Sequence, residues 1–129
     1  MPLRMLLTIQ NIWLGANKMT GDIERPWDYS PDNWIILEIT QDGKTYHKVL
    51  SGWSGGYLHG DHWRMNSGIK SIDEVEGYYY IHGYSGSIYK CNKESEMIRM
   101  NISGIFKQLQ DFVKEVKIST ILDKYITTS

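Results

Sequence analysis

One hairpin signal constrains the fold of this chain more than any other feature. Residues 33–51, NWIILEITQDGKTYHKVLS, contain two runs rich in β-branched and aromatic residues around the dipeptide Asp42-Gly43, which tolerates the positive φ angles of a type I′ turn. A two-residue turn places Ile39 opposite Tyr46. One face of the pair then carries Ile35, Leu37, Ile39, Tyr46, Lys48 and Leu50, and the other carries Trp34, Ile36, Glu38, His47 and Val49. Because apolar groups occur on both faces, the sequence predicts a strand pair that is covered at least partly on both sides.

A second hairpin is predicted over residues 77–91, GYYYIHGYSGSIYKC, with Ser85-Gly86 at its tip. A two-residue turn at this dipeptide sorts the side chains into two faces. One face carries Tyr78, Tyr80, His82, Tyr84, Tyr89 and Cys91, and the other carries Tyr79, Ile81 and Ile88. A one-residue slip of the pairing would regroup the second strand.

The C-terminal part changes to a helical period. Apolar residues recur there at Ile105, Phe106, Leu109, Phe112, Val113 and Val116. This spacing predicts a helix with one apolar stripe, and Ser103 is its predicted N-cap. Residues 117–122, KISTIL, are rich in β-branched side chains and are predicted to form a final strand.

The remaining segments give weaker signals. Residues 62–69, HWRMNSGI, can return as a strand, and residues 72–76, IDEVE, fit a charged turn or an edge. The sequence therefore predicts an α+β fold in a single globular domain spanning residues 1–129. Its architecture is an antiparallel β-sheet of about four to six strands with one long C-terminal helix packed on it. A β-rich, barrel-like domain is the alternative.

Charge and cysteine content narrow the function classes. The formal net charge is −1 over 129 residues, so no global field recruits nucleic acid or an acidic membrane. The single cysteine, Cys91, excludes an intramolecular disulfide and is expected to be a buried small hydrophobe. No stretch approaches the roughly 18 consecutive apolar residues of a membrane span. A cytoplasmic protein with no direct nucleic-acid or membrane partner is expected.

Catalytic and metal-binding patterns are weak. The cluster HGDH, with His59, Asp61 and His62, lacks the ligand spacing of established zinc motifs. His82 has the chemistry of an acid or base, but a hydrogen-bonded histidine on a sheet face is the commoner arrangement. The glycines of residues 52–60 do not match a phosphate loop and are expected at turns and bulges. No catalytic residue, metal ligand or cofactor is therefore predicted, and a small metal- or histidine-dependent enzyme is the alternative.

The aromatic content is the strongest functional signal. The chain holds five tryptophans and nine tyrosines, several of them in loops among Gly, Asp and Ser. Trp34, Tyr46, Tyr79 and Trp53 are expected to fill the core. Tyrosine and tryptophan are enriched where protein surfaces recognise one another, so the loop aromatics predict a partner-binding face. Acidic residues of residues 22–32 are expected to steer a basic partner to it.

The segments WIILEI, YHKVLSGWSGGYLHGDHWRMNSGI and GYYYIHGYSGSIYKC resemble small enterobacterial immunity proteins of contact-dependent growth inhibition systems. The similarity spans roughly residues 33–112. The resemblance implies a non-catalytic cytoplasmic inhibitor that binds the C-terminal toxin domain of a cognate CdiA-type effector, commonly a nuclease. A phage-type inhibitor of a host protein is a further alternative, and a monomer is favoured.

The predicted partner-binding residues combine the loop aromatics with nearby acids and one histidine. They are Asp22, Glu24, Trp27, Asp28, Tyr29, Asp32, Tyr57, Asp61, His62, Trp63 and Tyr84.

Overall fold

Two antiparallel sheets and two short helices make up the computed structural model, which describes residues 26–55 and 62–126. The strands are β1 (Asn33–Gln41), β2 (Lys44–Trp53), β3 (His62–Met65), β4 (Ile69–Val75), β5 (Tyr78–Gly83), β6 (Ile88–Asn92) and β7 (Val113–Val116). The helices are α1 (Met100–Leu109) and α2 (Ile118–Tyr125), and a 3-10 turn covers Lys93–Ser95. One sheet has four strands in the order β3-β2-β1-β7, and the other has three in the order β4-β5-β6. The α+β class is therefore confirmed.

The first hairpin has the predicted register. Ile39 lies opposite Tyr46 and the turn residues Asp42 and Gly43 have φ angles of 53° and 77°. Both central residues of a type I′ turn need positive φ, and the Asp-Gly pair supplies them. The local sequence was enough to place every residue of β1 opposite its partner in β2.

Each face of this strand pair contributes to a separate hydrophobic core. The core between the two sheets contains Trp34, Ile36 and Val49 together with Ile69, Ile72, Tyr79, Ile81, Tyr89 and Cys91, and α2 adds Ile118 and Ile121. The core under α1 contains Ile35, Leu37, Leu50 and Ile102, against which Ile105, Phe106 and Leu109 pack. The prediction that both faces are covered is confirmed. Cys91 is fully buried, and this burial raises the pKa of its thiol.

The second hairpin differs from the prediction by one residue. Ile81 lies opposite Tyr89 and Tyr79 lies opposite Cys91. These four residues therefore share one buried face, whereas the predicted register placed Tyr89 and Cys91 on the other face. The loop has three residues instead of two, because Gly83 and Ser87 close it through a 2.9 Å backbone hydrogen bond. Gly86 takes the positive φ, 98°, that a three-residue hairpin loop requires at its last position.

The C-terminal prediction is wrong in its two main elements. The helix α1 ends at Leu109, and Val113 and Val116, which were assigned to one long helix, lie in β7 opposite Ile39 and Ile36. Residues 117–122 begin a second helix and do not form a strand. Residues in β7 gain hydrogen bonds to the free edge of β1. In α2, Ile118 and Ile121 become buried at helical spacing. These tertiary contacts override the secondary structure that the local sequence pattern favours.

The predicted N-cap, the arrangement of the strands and the place of Gly52 also need correction. Ser103 lies inside α1, whose N-cap position is occupied by Arg99. The described strands divide between two sheets, so neither the single sheet nor the barrel is present in these residues. Gly52 was expected at a turn but belongs to β2. The edge assignment of the IDEVE segment is confirmed, because residues 72–75 belong to β4, an edge strand.

Helix α2 is fixed to the rest of the fold at its first residue. The Glu96 carboxylate accepts a 2.7 Å hydrogen bond from the Ile118 backbone N–H. Burial raises the pKa of Glu96 above its ordinary value. Ionising this carboxyl is therefore more costly in the folded chain than in the unfolded chain.

Replacing Glu96 with glutamine is expected to stabilise the fold at neutral pH. A carboxyl group with a raised folded pKa contributes stability that is present below its unfolded pKa and is lost as pH rises through the folded pKa. Glutamine cannot ionise, and its carbonyl oxygen can still accept the Ile118 N–H. Urea denaturation is expected to give wild type and Glu96→Gln similar stabilities near about pH 4, with the variant ahead at neutral pH. Glu94→Gln on the same turn is the exposed control. The prediction is contradicted if wild type has the higher free energy of unfolding and its margin over Glu96→Gln grows with pH.

Candidate functional site

His47 belongs to a buried polar network that connects α2 to the four-stranded sheet. Its Nε2 lies 3.1 Å from Glu38 Oε2, and its Nδ1 lies 2.7 Å from the Tyr125 hydroxyl. Because a carboxylate only accepts, Nε2 is the donor toward Glu38, and in the tautomer that carries its proton there Nδ1 accepts the Tyr125 O–H. Hydrogen bonding to His47, together with Lys114 at 3.3 Å, lowers the pKa of Glu38, whereas burial raises the pKa of Tyr125. Both ring nitrogens are used internally, so His47 anchors the helix.

His82 forms a simpler pair on the outer face of the three-stranded sheet. Its Nε2 lies 3.1 Å from Asp73 Oδ2, and both side chains are partly exposed. Within the part of the chain that the structure describes, no three His, Cys, Asp or Glu side chains come together as a potential metal site. His59 and Asp61 of the HGDH cluster lie outside the described residues.

A groove of about 420 Å³ opens at one edge of the two sheets. It lies between β3, an edge strand of the four-stranded sheet, and the segment that runs beside β6. That segment is held by backbone hydrogen bonds from Asp28 N to Ile88 O and from Lys90 N to Tyr29 O, both 2.8 Å. The lining residues are Trp27, Asp28, Tyr29, Ser30, Trp53, His62, Trp63 and Arg64.

Ring contacts fix the inner wall of the groove. The Trp53 and His62 rings are stacked with centroids 5.1 Å apart and an interplanar angle of 5°. The Trp53 indole also donates a 3.1 Å hydrogen bond to the Ser30 carbonyl. Trp53 and His62 face each other across the β2–β3 ladder, so strand pairing itself brings the two rings together. The side chains are thus positioned before any partner arrives.

Tyr29 and Arg64 form a second layer of the same wall. The Arg64 guanidinium carbon lies 4.4 Å from the centroid of the Tyr29 ring, and Tyr29 in turn packs against Tyr89 at 5.0 Å. Burial raises the pKa of Tyr89 to about 12, so its phenol stays neutral at physiological pH. Arg64 is therefore the charged group of this layer.

Two tryptophans border the groove and remain open to solvent. Trp27 is 42% exposed and Trp63 is 45% exposed. Lys90 Nζ lies 5.8 Å from the Trp27 ring centroid and holds the Tyr78 ring at 4.5 Å. Large, partly exposed aromatic rings on a fixed backbone are typical of recognition surfaces.

Asp28 and Asp32 stabilise the fold through hydrogen bonds that the sequence did not indicate. Asp28 Oδ2 accepts a 2.8 Å hydrogen bond from the Ile88 N–H, and Asp32 Oδ2 accepts one of 2.8 Å from the Ser54 N–H. Both carboxylates thereby fix the segment before β1 onto the two sheets. They remain exposed, but each commits one oxygen to the backbone.

The structure brings together five of the predicted partner-binding residues: Trp27, Asp28, Tyr29, His62 and Trp63 line one groove. Asp32 lies beside the groove without lining it. Tyr84, 68% exposed, is at the tip of the second hairpin next to Gly68 and is not part of the groove. Asp22, Glu24, Tyr57 and Asp61 lie outside the described residues.

Sequence reasoning missed Ser30, Trp53 and Arg64. Trp53 was expected in the core and is half-buried at the groove. Arg64 follows His62 by two residues, and side chains two apart on a strand share a face. Had residues 62–65 been assigned to a strand with certainty, this alternation would have placed Arg64 beside His62.

The described helices include none that is both long and apolar enough to cross a bilayer. Comparison of the chain with protein-family models, with curated proteins and with solved structures finds no match.

Proposed function

We propose that this chain is an immunity-type inhibitor that binds and neutralises the C-terminal toxin domain of a cognate contact-dependent growth inhibition effector in the cytoplasm. The observation that carries the proposal is the groove bordered by Trp27 and Trp63, whose walls are fixed by the stacked Trp53 and His62 rings. The resemblance over residues 33–112 supplies the class of partner.

A preorganised aromatic groove suits tight binding for an energetic reason. Binding costs less entropy when the contact side chains already have their bound positions. Trp53 and His62 are held by stacking and by strand pairing, and Tyr29 is held between Arg64 and Tyr89. A partner that inserts apolar side chains between Trp27 and Trp63 gains burial with little loss of rotamer freedom.

In this proposal the chain carries out no chemistry on the toxin. It neutralises the toxin by occupying its surface, at or beside the catalytic site. A phage-type inhibitor of a host protein would use the same groove in the same way, and the identity of the partner separates the two functions. The gene immediately upstream supplies the test, because an immunity gene is expected to follow the gene of its toxin.

Alanine replacement of either exposed groove tryptophan is expected to weaken toxin binding about 30-fold, which corresponds to about 2 kcal/mol for a central aromatic anchor. The measurement is calorimetric titration of the toxin domain encoded upstream with wild type, Trp27→Ala and Trp63→Ala. Phe112→Ala is the matched control, since Phe112 is 74% exposed and precedes β7 at the opposite edge of the four-stranded sheet.

Two outcomes contradict the proposal. If both tryptophan variants fold and bind the toxin domain as tightly as wild type, the groove is not the binding site. If the upstream gene encodes no toxin domain, or if that domain is not neutralised when this chain is co-expressed, the immunity function is wrong.

A further inference from the structure

The Arg64 guanidinium has hydrogen-bonding capacity that the described residues do not use. Its carbon lies 4.4 Å above the centre of the Tyr29 ring. Stacking on an aromatic face leaves the N–H groups at the edge of the guanidinium plane, where they can donate sideways. Within residues 26–55 and 62–126, no carboxylate lies within 4.0 Å of this group. Arg64 is exposed at the groove.

No described carboxylate of the groove pairs with Arg64 directly. Asp28, the acid that lines the groove, commits Oδ2 to the Ile88 N–H. The Tyr29 and Tyr89 rings below Arg64 carry phenols, and burial raises the Tyr89 pKa to about 12. His62 is stacked on Trp53. Among the described lining residues, Arg64 is therefore the charged donor that is left for a partner.

We infer that the groove recognises an acidic segment of its protein partner, in which a carboxylate side chain pairs with the Arg64 guanidinium and an apolar neighbour packs against Trp63. This inference rests on the proposed function for the identity of the partner as a protein. Arginine and carboxylate fit each other through two parallel hydrogen bonds. Burial of the pair by the bound segment would strengthen the interaction.

A peptide segment fits this groove better than a nucleic acid. Single-stranded nucleic acids bind along a track of several cations because phosphate contacts supply most of the affinity. The described lining of the groove offers one arginine and no lysine, which is too few cations for such a track. A single carboxylate side chain needs only one guanidinium. The volume of about 420 Å³ is enough for a few side chains.

The inference reverses the charge complementarity that the sequence suggested. Asp28 and Asp32 hold the segment before β1 onto the sheets through Ile88 and Ser54, whereas Arg64 has no described carboxylate within 4.0 Å. A carboxylate on the partner is the complement of Arg64 in this site.

Peptide titration of the purified full chain tests the inference directly. The probes are acetyl-Gly-Glu-Leu-Glu-Gly-amide, the same peptide with glutamine in place of glutamate, and hexathymidylate. Indole N–H resonances in a nitrogen-15 correlation spectrum report binding at the groove tryptophans. The glutamate peptide is expected to bind at least about tenfold more tightly than the glutamine peptide, because charge-assisted hydrogen bonds are the stronger kind. Its affinity is expected to fall as sodium chloride rises from about 20 to about 300 mM.

Arginine variants identify the group responsible. Arg64→Gln is expected to lower the affinity for the glutamate peptide at least about tenfold. Arg64→Lys is expected to lower it less, since lysine keeps the charge but cannot form the two parallel hydrogen bonds. Arg99→Gln is the matched control: Arg99 is exposed and lies outside the groove, at the start of α1. Equal binding of the two peptides, or an unchanged affinity in Arg64→Gln, overturns the inference. Tighter binding of hexathymidylate, or self-association that fills the groove, also overturns it.

The same variants separate this inference from the proposed function. If Trp63→Ala abolishes toxin binding and Arg64→Gln does not, the inhibitor function stands and the acidic-segment inference is wrong. If the glutamate peptide binds through Arg64 but the upstream toxin domain does not bind, the recognition chemistry stands and the immunity function is wrong.

Discussion

Replacing Trp34 with alanine is expected to lower the free energy of unfolding by about 3–5 kcal/mol, the usual range for a large aromatic side chain removed from a core. Trp34 is completely buried between the two sheets, and its ring makes an edge contact with Tyr79 at 6.1 Å. Its indole N–H also donates a 2.9 Å hydrogen bond to the Asn92 carbonyl. The substitution therefore removes both the packing between the sheets and a hydrogen bond that ties β1 to the end of β6.

Trp34→Phe separates these two contributions. Phenylalanine keeps most of the buried area but leaves the Asn92 carbonyl without its donor, so a smaller loss of about 1–3 kcal/mol is expected. Urea denaturation followed by circular dichroism measures both variants, with Trp27→Ala as an exposed control. If Trp34→Ala lowers the free energy of unfolding no more than Trp27→Ala does, Trp34 does not pack between the two sheets as described.

Replacing Gly52 with valine is expected to cost about 3 kcal/mol or more, at or above the upper end of the range for overpacked cores. A β-carbon at Gly52 would lie 2.5 Å from Asn101 Oδ1 and 2.7 Å from Ile102 Cγ2. Both atoms belong to the first turn of α1, and Asn101 is held there by a 2.7 Å hydrogen bond to Asn33 Oδ1. These two buried side chains, or the helix that carries them, must move to admit any side chain at Gly52.

Gly104→Ala is the matched control for this prediction. Gly104 lies within α1, and a β-carbon there meets nothing within 4 Å outside the helix's own backbone. Alanine in place of an exposed helical glycine is expected to stabilise the fold by about 0.5–1 kcal/mol. Opposite shifts of the urea midpoint for Gly52→Val and Gly104→Ala are therefore expected. A midpoint for Gly52→Val equal to that of wild type contradicts the close approach of α1.

The two hairpins show how far local sequence determines strand pairing. Asp42-Gly43 satisfies the φ requirement of one turn type, and the predicted register of β1 and β2 is the observed one. Ser85-Gly86 is compatible with a two-residue or a three-residue loop, and the longer loop is the one that places Ile81 and Tyr89 together on the buried face. The choice between the loops depends on burial against the other sheet.

The C-terminal region shows the opposite limit. Val113 and Val116 are three residues apart, which fits a helix stripe, and their β-branched side chains also suit a strand. The edge of β1 at Ile36 and Ile39 accepts them as β7. Nothing within a few residues of Val113 indicates that this edge is free, so the assignment could not be made from the local pattern.

The candidate site follows the same division. The sequence alone identified Trp27, Tyr29 and Trp63 as surplus aromatics in loops, because a core has limited room for such side chains. It did not identify Arg64 as their charged neighbour or Asp28 and Asp32 as hydrogen-bond acceptors for distant backbone N–H groups.

By itself the sequence determined the α+β class, the first strand pair with its two apolar faces, and an aromatic surplus at the surface. These features depend on turn φ angles and side-chain alternation, which act over a few residues. The tertiary structure decided the division into two sheets, the second helix, and the meeting of Arg64 with Tyr29. Those features depend on how the apolar faces of strands and helices pack against one another. That packing buries segments that are far apart in the chain, so a local sequence pattern does not determine it.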